Sequence, residues 1–300
     1  MPYRQVLVVW NTVSGPDTQE EDRKAVRRFL EGKGTDFEIR DWTAPEQIPD
    51  WVEEAEGGEV DLLVSAGGDG TAAAIADCLI RMGSRVPLAV LPLGSSNLLA
   101  LSLGLPPSLE DALEVEWSGT VVRLDAGYVA EMDRHFLVGA SVGAHAELVR
   151  KTSRERKREM GFLAYLLSGL RTVLSFRPRK VRIETDRGSW RWKTDSIEVL
   201  NTAGFLPADH ALAPRVDPAD GELDLMALRT GTLLDLAGLL LYALVGKRFD
   251  PWRTEHRQAR RVTVRPRKTL EVQMDGEPAG RTPVTVEVRK SALSVVVAPG

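Results

Sequence analysis

The stretch Leu62-Leu63-Val64-Ser65-Ala66-Gly67-Gly68-Asp69-Gly70-Thr71 constrains this chain more than any other segment. An apolar run of strand length ends in Gly-Gly-Asp-Gly-Thr, and a helix-favouring run, Ala72 to Ile80, follows at once. Glycines at such a junction permit positive φ and the close approach of a ligand. Their N–H groups and the new helix N-terminus together form an anion site. Asp69 adds a carboxylate beside that anion, which suits a metal-bound phosphate better than a bare one. Taken alone, the segment also reads as a glycine-rich turn.

The neighbouring segments repeat the arrangement. Val6–Trp10 reads as a strand ending in the loop Asn11-Thr12-Val13-Ser14-Gly15, and Glu20–Glu31 has helical periodicity. Phe37–Arg40 reads as a strand and Ile48–Glu56 as a helix. Val86–Leu91 is a strand ending at Pro92-Leu93-Gly94-Ser95-Ser96-Asn97, and Leu98–Leu103 a short helix stopped by Gly104 and Pro106. Strands alternating with helices predict a parallel sheet with its loops at the C-terminal edge. The loops at Asn11, Gly67 and Gly94 then gather on one edge.

After about residue 121 short strands dominate: Val121–Tyr128, His135–Gly139, Lys180–Thr185, Trp190–Leu200, Leu223–Leu228, Val262–Val264, Leu270–Met274, Thr285–Val288 and Leu293–Val297. Asp186-Arg187-Gly188-Ser189 is a hairpin turn. Two helical segments interrupt the strands, Phe162–Phe176 and Leu233–Val245. The expected architecture is an α/β N-terminal domain, a parallel sheet flanked by helices, over 1–123. A β-sandwich-like domain follows over 124–290, with the last strand, near 291–300, a candidate to return to the first. No flexible linker separates the two, which predicts that they pack closely.

A net charge of −4 over 300 residues carries no nucleic-acid signature. Cys78 is the only cysteine, which excludes an intrachain disulfide and fits a reducing compartment. The N-terminus enters a strand directly, predicting no signal peptide, and no apolar run reaches the length of a membrane span. The histidines at 135, 145, 210 and 256 show no metal-ligand spacing.

Five motifs in order resemble the diacylglycerol kinase catalytic-domain family, in its bacterial lipid-kinase branch. They are Gly67–Thr71, Leu91-Pro92-Leu93-Gly94-Ser95-Ser96-Asn97, Leu124-Asp125-Ala126-Gly127, Asp220-Gly221-Glu222-Leu223-Asp224 and Asp275-Gly276-Glu277. The likeness extends over essentially the whole chain and reaches sphingosine, ceramide and NAD kinases. It implies a two-domain fold and Mg²⁺-dependent transfer from ATP to a lipid hydroxyl, diacylglycerol-like by default. ATP then lies between the domains on Asn11, Ser14, Gly15, Thr43, Gly67, Gly68, Asp69, Gly70, Thr71, Ser95 and Asn97. Ser95, Ser96 and Asn97 are also good helix caps. Asp69, and after it Asp125, engage catalytic Mg²⁺. The resemblance makes Asp275 the proton acceptor, with Glu277 orienting it or accepting in its place. Asp-Gly is also the best hairpin dipeptide. A second, structural Mg²⁺ is implied at Asp217, Asp220 and Glu222, some of its ligands being main-chain oxygens.

The implied partner is a lipid at a membrane surface, with no nucleic acid and with a homodimer left open. The implied location is cytoplasmic, peripheral at the inner membrane face. The basic run Arg150–Arg158 followed by Phe162–Leu167, and the apolar Leu239–Tyr242, are candidate membrane contacts. The chain departs from the family pattern at Thr12 for a usual proline, Ser95 for threonine, Leu98 for a common acidic residue, and at 203–210, where glycines are usual. Leu98 and the 203–210 loop keep open a catalytically impaired nucleotide- or lipid-binding regulator, and the shared Gly-Gly-Asp-Gly-Thr keeps open an NAD-kinase-like enzyme.

Overall fold

The computed structural model describes residues 3–12, 19–94, 96–151, 178–202, 216–228 and 255–298. The chain forms two compact units, Met1–Ala126 with Lys290–Gly300, and Gly127–Arg289.

In the first unit, β1 (Gln5–Asn11) lies between β2 (Asp36–Trp42) and β3 (Leu62–Gly67), and β4 (Leu88–Pro92) extends the sheet beyond β3. All these pairings are parallel. Val6–Trp10 and Leu62–Gly67 are buried throughout, as expected of parallel strands covered on both faces. The last strand, β16 (Val284–Val297), lies parallel to β4 through Val295 opposite Leu88.

Helix α1 (Gln19–Lys33) carries Glu20, Glu21 and Asp22 in its first turn and Lys33 in its last, matching the helix dipole, and buries Val26 and Leu30. Then come α2 (Gln47–Glu54), α3 (Asp69–Met82), which ends at Gly83 in the left-handed region, and α4 (Leu98–Ser102). Sequence reasoning missed α5 (Leu109–Ser118). Its signals were present: a Ser108 cap accepting from Asp111 N–H, and Leu109, Ala112 and Leu113 on one buried face.

The chain passes between the units in β5 (Thr120–Val129) and β16. The second unit contains β6 (Arg134–Phe136), β7 (Gly139–Gly143), α6 (Ala144–Lys151), β8 (Arg179–Thr185), β9 (Gly188–Thr194), β10 (Ser196–Leu200) and β11 (Leu223–Leu228). It also holds β12 (Glu255–Ala259), β13 (Arg261–Arg265), β14 (Glu271–Met274) and β15 (Glu277–Arg281). One sheet runs β12-β11-β10-β7-β14-β15, and the other places β13 between β16 and β8, with β9 at the edge. Their inner faces share a core of Val181, Ile183, Trp192, Val262 and Val264 from one sheet and Val142, Ile197, Leu225, Val272 and Met274 from the other. This is the β-sandwich-like domain expected.

Three strand boundaries differ from expectation. The run Trp190–Leu200 breaks at Asp195, so β9 and β10 join different sheets. Asp195 N–H donates to Leu228 O, and its carbonyl accepts from Ala144 N–H. His135–Gly139 divides into β6 and β7. Thr285–Val288 and Leu293–Val297 are one strand, with Ser291 at φ 45° inside it. The helical segments expected at 162–176 and 233–245 lie outside the described residues.

Candidate active site

In the first unit the parallel register brings the C-terminal ends of four strands to one edge. Asn11 pairs with Trp42, Trp10 with Ala66, and Gly67 with Pro92. Thr43 follows directly after β2, where its hydroxyl donates to Gln47 Oε1 at 3.2 Å. The loops at this edge interlock. Asn11 Nδ2 donates to Thr71 Oγ1 at 2.7 Å, and Thr71 is 2% exposed. Leu93 N–H donates to Gly67 O at 3.1 Å.

The glycines serve close approach rather than unusual dihedrals. Gly68 has φ −96°, and Gly67, Gly70 and Gly94 are absent from the positive-φ positions. A Cβ on Gly67 would lie 2.9 Å from Thr71 Cβ, and one on Gly94 would meet the Gly68 backbone and lie 2.8 Å from Asn97 Oδ1. Strand β3 therefore runs flush into α3, whose first N–H groups, at Asp69 and Gly70, have no carbonyl within the helix to bond. Those donors and the helix dipole suit a phosphate.

Asp69 lies in the first turn of α3, and its Oδ1 accepts from Leu99 N–H at 3.0 Å, tying α3 to α4. Its Oδ2 makes no hydrogen bond among the described residues, so an oxygen remains for a phosphate-bound cation. Other expected ligands make hydrogen bonds within the fold. The Asn97 amide accepts from Gly94 N–H at 2.8 Å and donates to Pro92 O and Gly94 O, both at 2.9 Å. As the N-cap residue of α4, at φ 49°, Asn97 makes no side-chain capping bond to the helix. The Thr71 hydroxyl is buried against Asn11. Asp125 is 1% exposed and accepts from Ser291 N–H at 2.7 Å, fixing the left-handed residue in β16. That bond ties the carboxylate expected to engage Mg²⁺ to the turn in β16. Ser14, Gly15 and Ser95 lie outside the described residues, as do most of the basic run, Phe162–Leu167, Leu239–Tyr242 and the 203–210 loop.

In the second unit Met274 pairs with Glu277, leaving Asp275-Gly276 as a two-residue turn with φ of 47° and 81°. The hairpin suggested by the dipeptide is therefore real, and it also aims the side chains. Asp275 is 8% exposed. Its Oδ2 accepts from Leu137 N–H at 2.9 Å, and its Oδ1 from Val138 and Gly139 N–H at 2.9 and 3.0 Å. A carboxylate holding three amide donors is an anchor for the bend between β6 and β7. Glu277 is half exposed, with Oε2 3.1 Å from Arg134 Nη2.

Behind this turn lies a buried polar chain that sequence reasoning did not find. Gln273 Oε1 accepts from Gly276 N–H at 2.7 Å, and its Nε2 donates to Ser141 Oγ at 2.6 Å. Ser141 bonds Glu198, which also accepts from Ser196 and lies 3.1 Å from His145 Nδ1. Burial disfavours both charges of the His145–Glu198 pair, but their attraction outweighs it. The imidazole is held above its ordinary pKa and the carboxyl below its own.

The acidic loop before β11 is only partly suited to a cation. Burial, then the charges of Asp224, Asp217 and Glu222, outweigh the Glu222 N–H bond and raise the Asp220 pKa. A cation would relieve that repulsion. The Glu222 carboxylate, however, pairs with Arg187 and lies 3.7 Å from Arg260. Asp224 pairs with His256 at 2.6 Å. Among the described residues no three acidic, histidine or cysteine side chains form a metal cage. The Glu222 side chain is thus engaged by arginine, while Asp217 and Asp220 accept from Ala219 and Glu222 N–H at 3.0 and 2.8 Å.

Known families match both units. Residues 5–129 fit the diacylglycerol kinase catalytic domain and residues 138–297 the YegS C-terminal NAD kinase beta sandwich-like domain. The "Diacylglycerol kinase" of Bacillus subtilis (strain 168) is 27% identical over 281 residues, 93% of this chain and 92% of the relative. A "Probable lipid kinase YegS-like" of Pseudomonas aeruginosa (strain UCBPP-PA14) is 30% identical over 260 residues, 83% and 80% of the two chains. A crystal structure of a diacylglycerol kinase from Bacillus anthracis str. Sterne shares the fold at a TM-score of 0.78 and 23% identity, covering 100% of this chain and 99% of that one. The chain belongs to the diacylglycerol kinase catalytic-domain family and is a lipid kinase, a phosphotransferase with an alcohol group as acceptor.

Proposed function

We propose that this chain transfers the γ-phosphate of Mg²⁺-bound ATP to a lipid hydroxyl, with a diacylglycerol-like acceptor as the default. The observation that carries this reading is the interlocked edge of the first unit, where Asn11, Gly67–Thr71 and Gly94 bring backbone N–H groups to a helix N-terminus. Phosphoryl transfer needs positioning and charge stabilisation more than covalent chemistry, and this edge offers both. Bound Mg²⁺ would neutralise charge building on the phosphate oxygens, with Asp69 Oδ2 as its protein ligand. The acceptor hydroxyl must lose a proton as its oxygen attacks phosphorus. We assign that proton to Glu277, the exposed carboxylate of the Asp275-Gly276-Glu277 turn. Asp275 fixes the turn through its three amide bonds. The domain boundary is placed near 123, and the reaction at the cytoplasmic face of the membrane.

A labelled-γ-phosphate assay tests this with mixed micelles of diacylglycerol, monoacylglycerol, phosphatidylglycerol, sphingosine or ceramide, and NAD as a soluble acceptor. One labelled lipid is expected, its formation abolished by Asp69→Ala in a folded protein. Label on NAD alone, or full activity in Asp69→Ala, refutes the reading. Glu277→Gln is expected to lower kcat at least 100-fold without loss of stability. Asp275→Asn turns an amide donor against backbone donors and should destabilise by about 1–3 kcal/mol. Unchanged kcat in Glu277→Gln returns the proton to Asp275.

A further inference from the structure

The chain is net acidic at −4, yet one face of the second unit concentrates positive charge. Strands β8 and β9 alternate strictly, with Val181, Ile183 and Trp192 buried in the core. The opposite face carries Lys180 and Arg182 on β8, and Arg191 and Lys193 on β9, all exposed. The register sets like charges directly opposite one another: Lys180 against Lys193, and Arg182 against Arg191. Arg182 also faces Arg265 of β13, so one row across three strands is wholly arginine. Glu184 is the carboxylate of this face, 2.8 Å from Arg182 and 4.0 Å from Arg265. Among the described residues Lys180, Arg191 and Lys193 have no carboxylate partner.

Cross-strand pairs of like charge destabilise a sheet. A lysine or two would suffice to guard the β9 edge against pairing. Guarding does not account for Arg182 and Arg265, which lie on inner strands of the sheet. Lys180, Arg182, Arg191, Lys193 and Arg265 around the single carboxylate of Glu184 instead match a plane of anionic headgroups, where each basic residue near the surface contributes to binding. We propose that the outer face of β9-β8-β13 docks this enzyme on an anionic lipid bilayer. The proposal rests on the lipid-kinase reading for its purpose but is tested without catalysis. These residues are distinct in sequence from the basic run at 150–158, the candidate membrane contact read from the sequence.

The test is co-sedimentation with vesicles of phosphatidylcholine alone and of phosphatidylcholine with phosphatidylglycerol. The wild-type chain is compared with Lys180→Gln/Arg182→Gln/Arg191→Gln/Lys193→Gln and with a control neutralised on α1, Lys24→Gln/Arg27→Gln/Arg28→Gln. Wild type should bind only the anionic vesicles and release as salt rises. At about fivefold per cation, the four-residue variant should bind several hundred-fold more weakly. Its thermal midpoint should not fall, because repulsion is removed. The control should keep most of the binding. Undiminished binding by the four-residue variant, an equal loss in the control, or equal binding to neutral vesicles overturns the proposal. Phosphoryl transfer in neutral micelles is measured in parallel. Its absence from the wild type counts against the kinase reading, while charge-dependent vesicle binding still stands.

Discussion

Glu116 offers the sharpest physical test of the first unit. It lies in α5 at 4% exposure, where Oε1 accepts from Val90 N–H of β4 at 2.7 Å and Oε2 is buried without a hydrogen-bond partner. Burial, only partly offset by the Val90 bond, pushes its pKa up to about 8 from an ordinary 4.5. Below pH 4.5 the carboxyl is protonated in folded and unfolded chains alike, and its contribution to stability is fully present. As pH rises toward 8 the unfolded chain releases a proton that the folded chain retains, so stability falls until both states are ionised. At about 1.4 kcal/mol per pH unit, the loss across that window reaches about 5 kcal/mol, a large share of the 5–15 kcal/mol typical of a domain. Glu116→Gln keeps the shape and the acceptor for Val90 N–H but cannot ionise. Urea unfolding at pH 5, 6.5 and 8 should show the variant close to wild type at pH 5 and increasingly more stable as pH rises. A stability difference that stays flat from pH 5 to 8 would refute the reasoning.

Two further substitutions separate packing from charge. Gly94→Ala drives a methyl group into the Gly68 backbone, so unfolding should show a loss of about 1–3 kcal/mol, with a raised KM for ATP and a smaller change in kcat. An unchanged KM would show that the Gly67 and Gly94 loops do not shape the nucleotide site together. His145→Gln leaves the buried Glu198 without its counter-charge and should cost about 3 kcal/mol at pH 6. Because the imidazole pKa is raised, its contribution is complete below pH 6.5 and fades as pH climbs through the folded value, so the variant's deficit should shrink by pH 9. Thermal unfolding at the two pH values measures this, and a deficit independent of pH would remove the ion pair from the account.

Much of the fold could be read directly from the chain because its signals are local. The apolar run Leu62–Val64 ending in glycines, and the alternation across Lys180–Thr185, each follow from one segment and its period. Features created by register were not legible. The break at Asp195 depends on which sheets accept β9 and β10. The Asp275 anchor depends on Met274 lying opposite Ala140, which places the turn against the bend at 137–139. The basic face exists only because Lys180 meets Lys193 and Arg182 meets both Arg191 and Arg265. Sequence spacing along one strand carries no sign of which residue lies across from it.

The same logic divides the acidic residues of the motifs into two groups. Asp125 holds Ser291, Asp275 holds the 137–139 bend, and Glu222 is paired with Arg187. Replacing any of these disturbs the fold and the chemistry together, so lost activity would identify neither. Asp69 keeps Oδ2 for a ligand and Glu277 stands half exposed beside Arg134. Once the Leu99 bond of Asp69 and the Arg134 pair of Glu277 are controlled for by a stability measurement, a kinetic defect there can be assigned to the reaction itself. A motif residue that carries chemistry must keep some polar capacity unspent after folding, and by that criterion Asp69 and Glu277, rather than Asp125 and Asp275, are the carboxylates to test first.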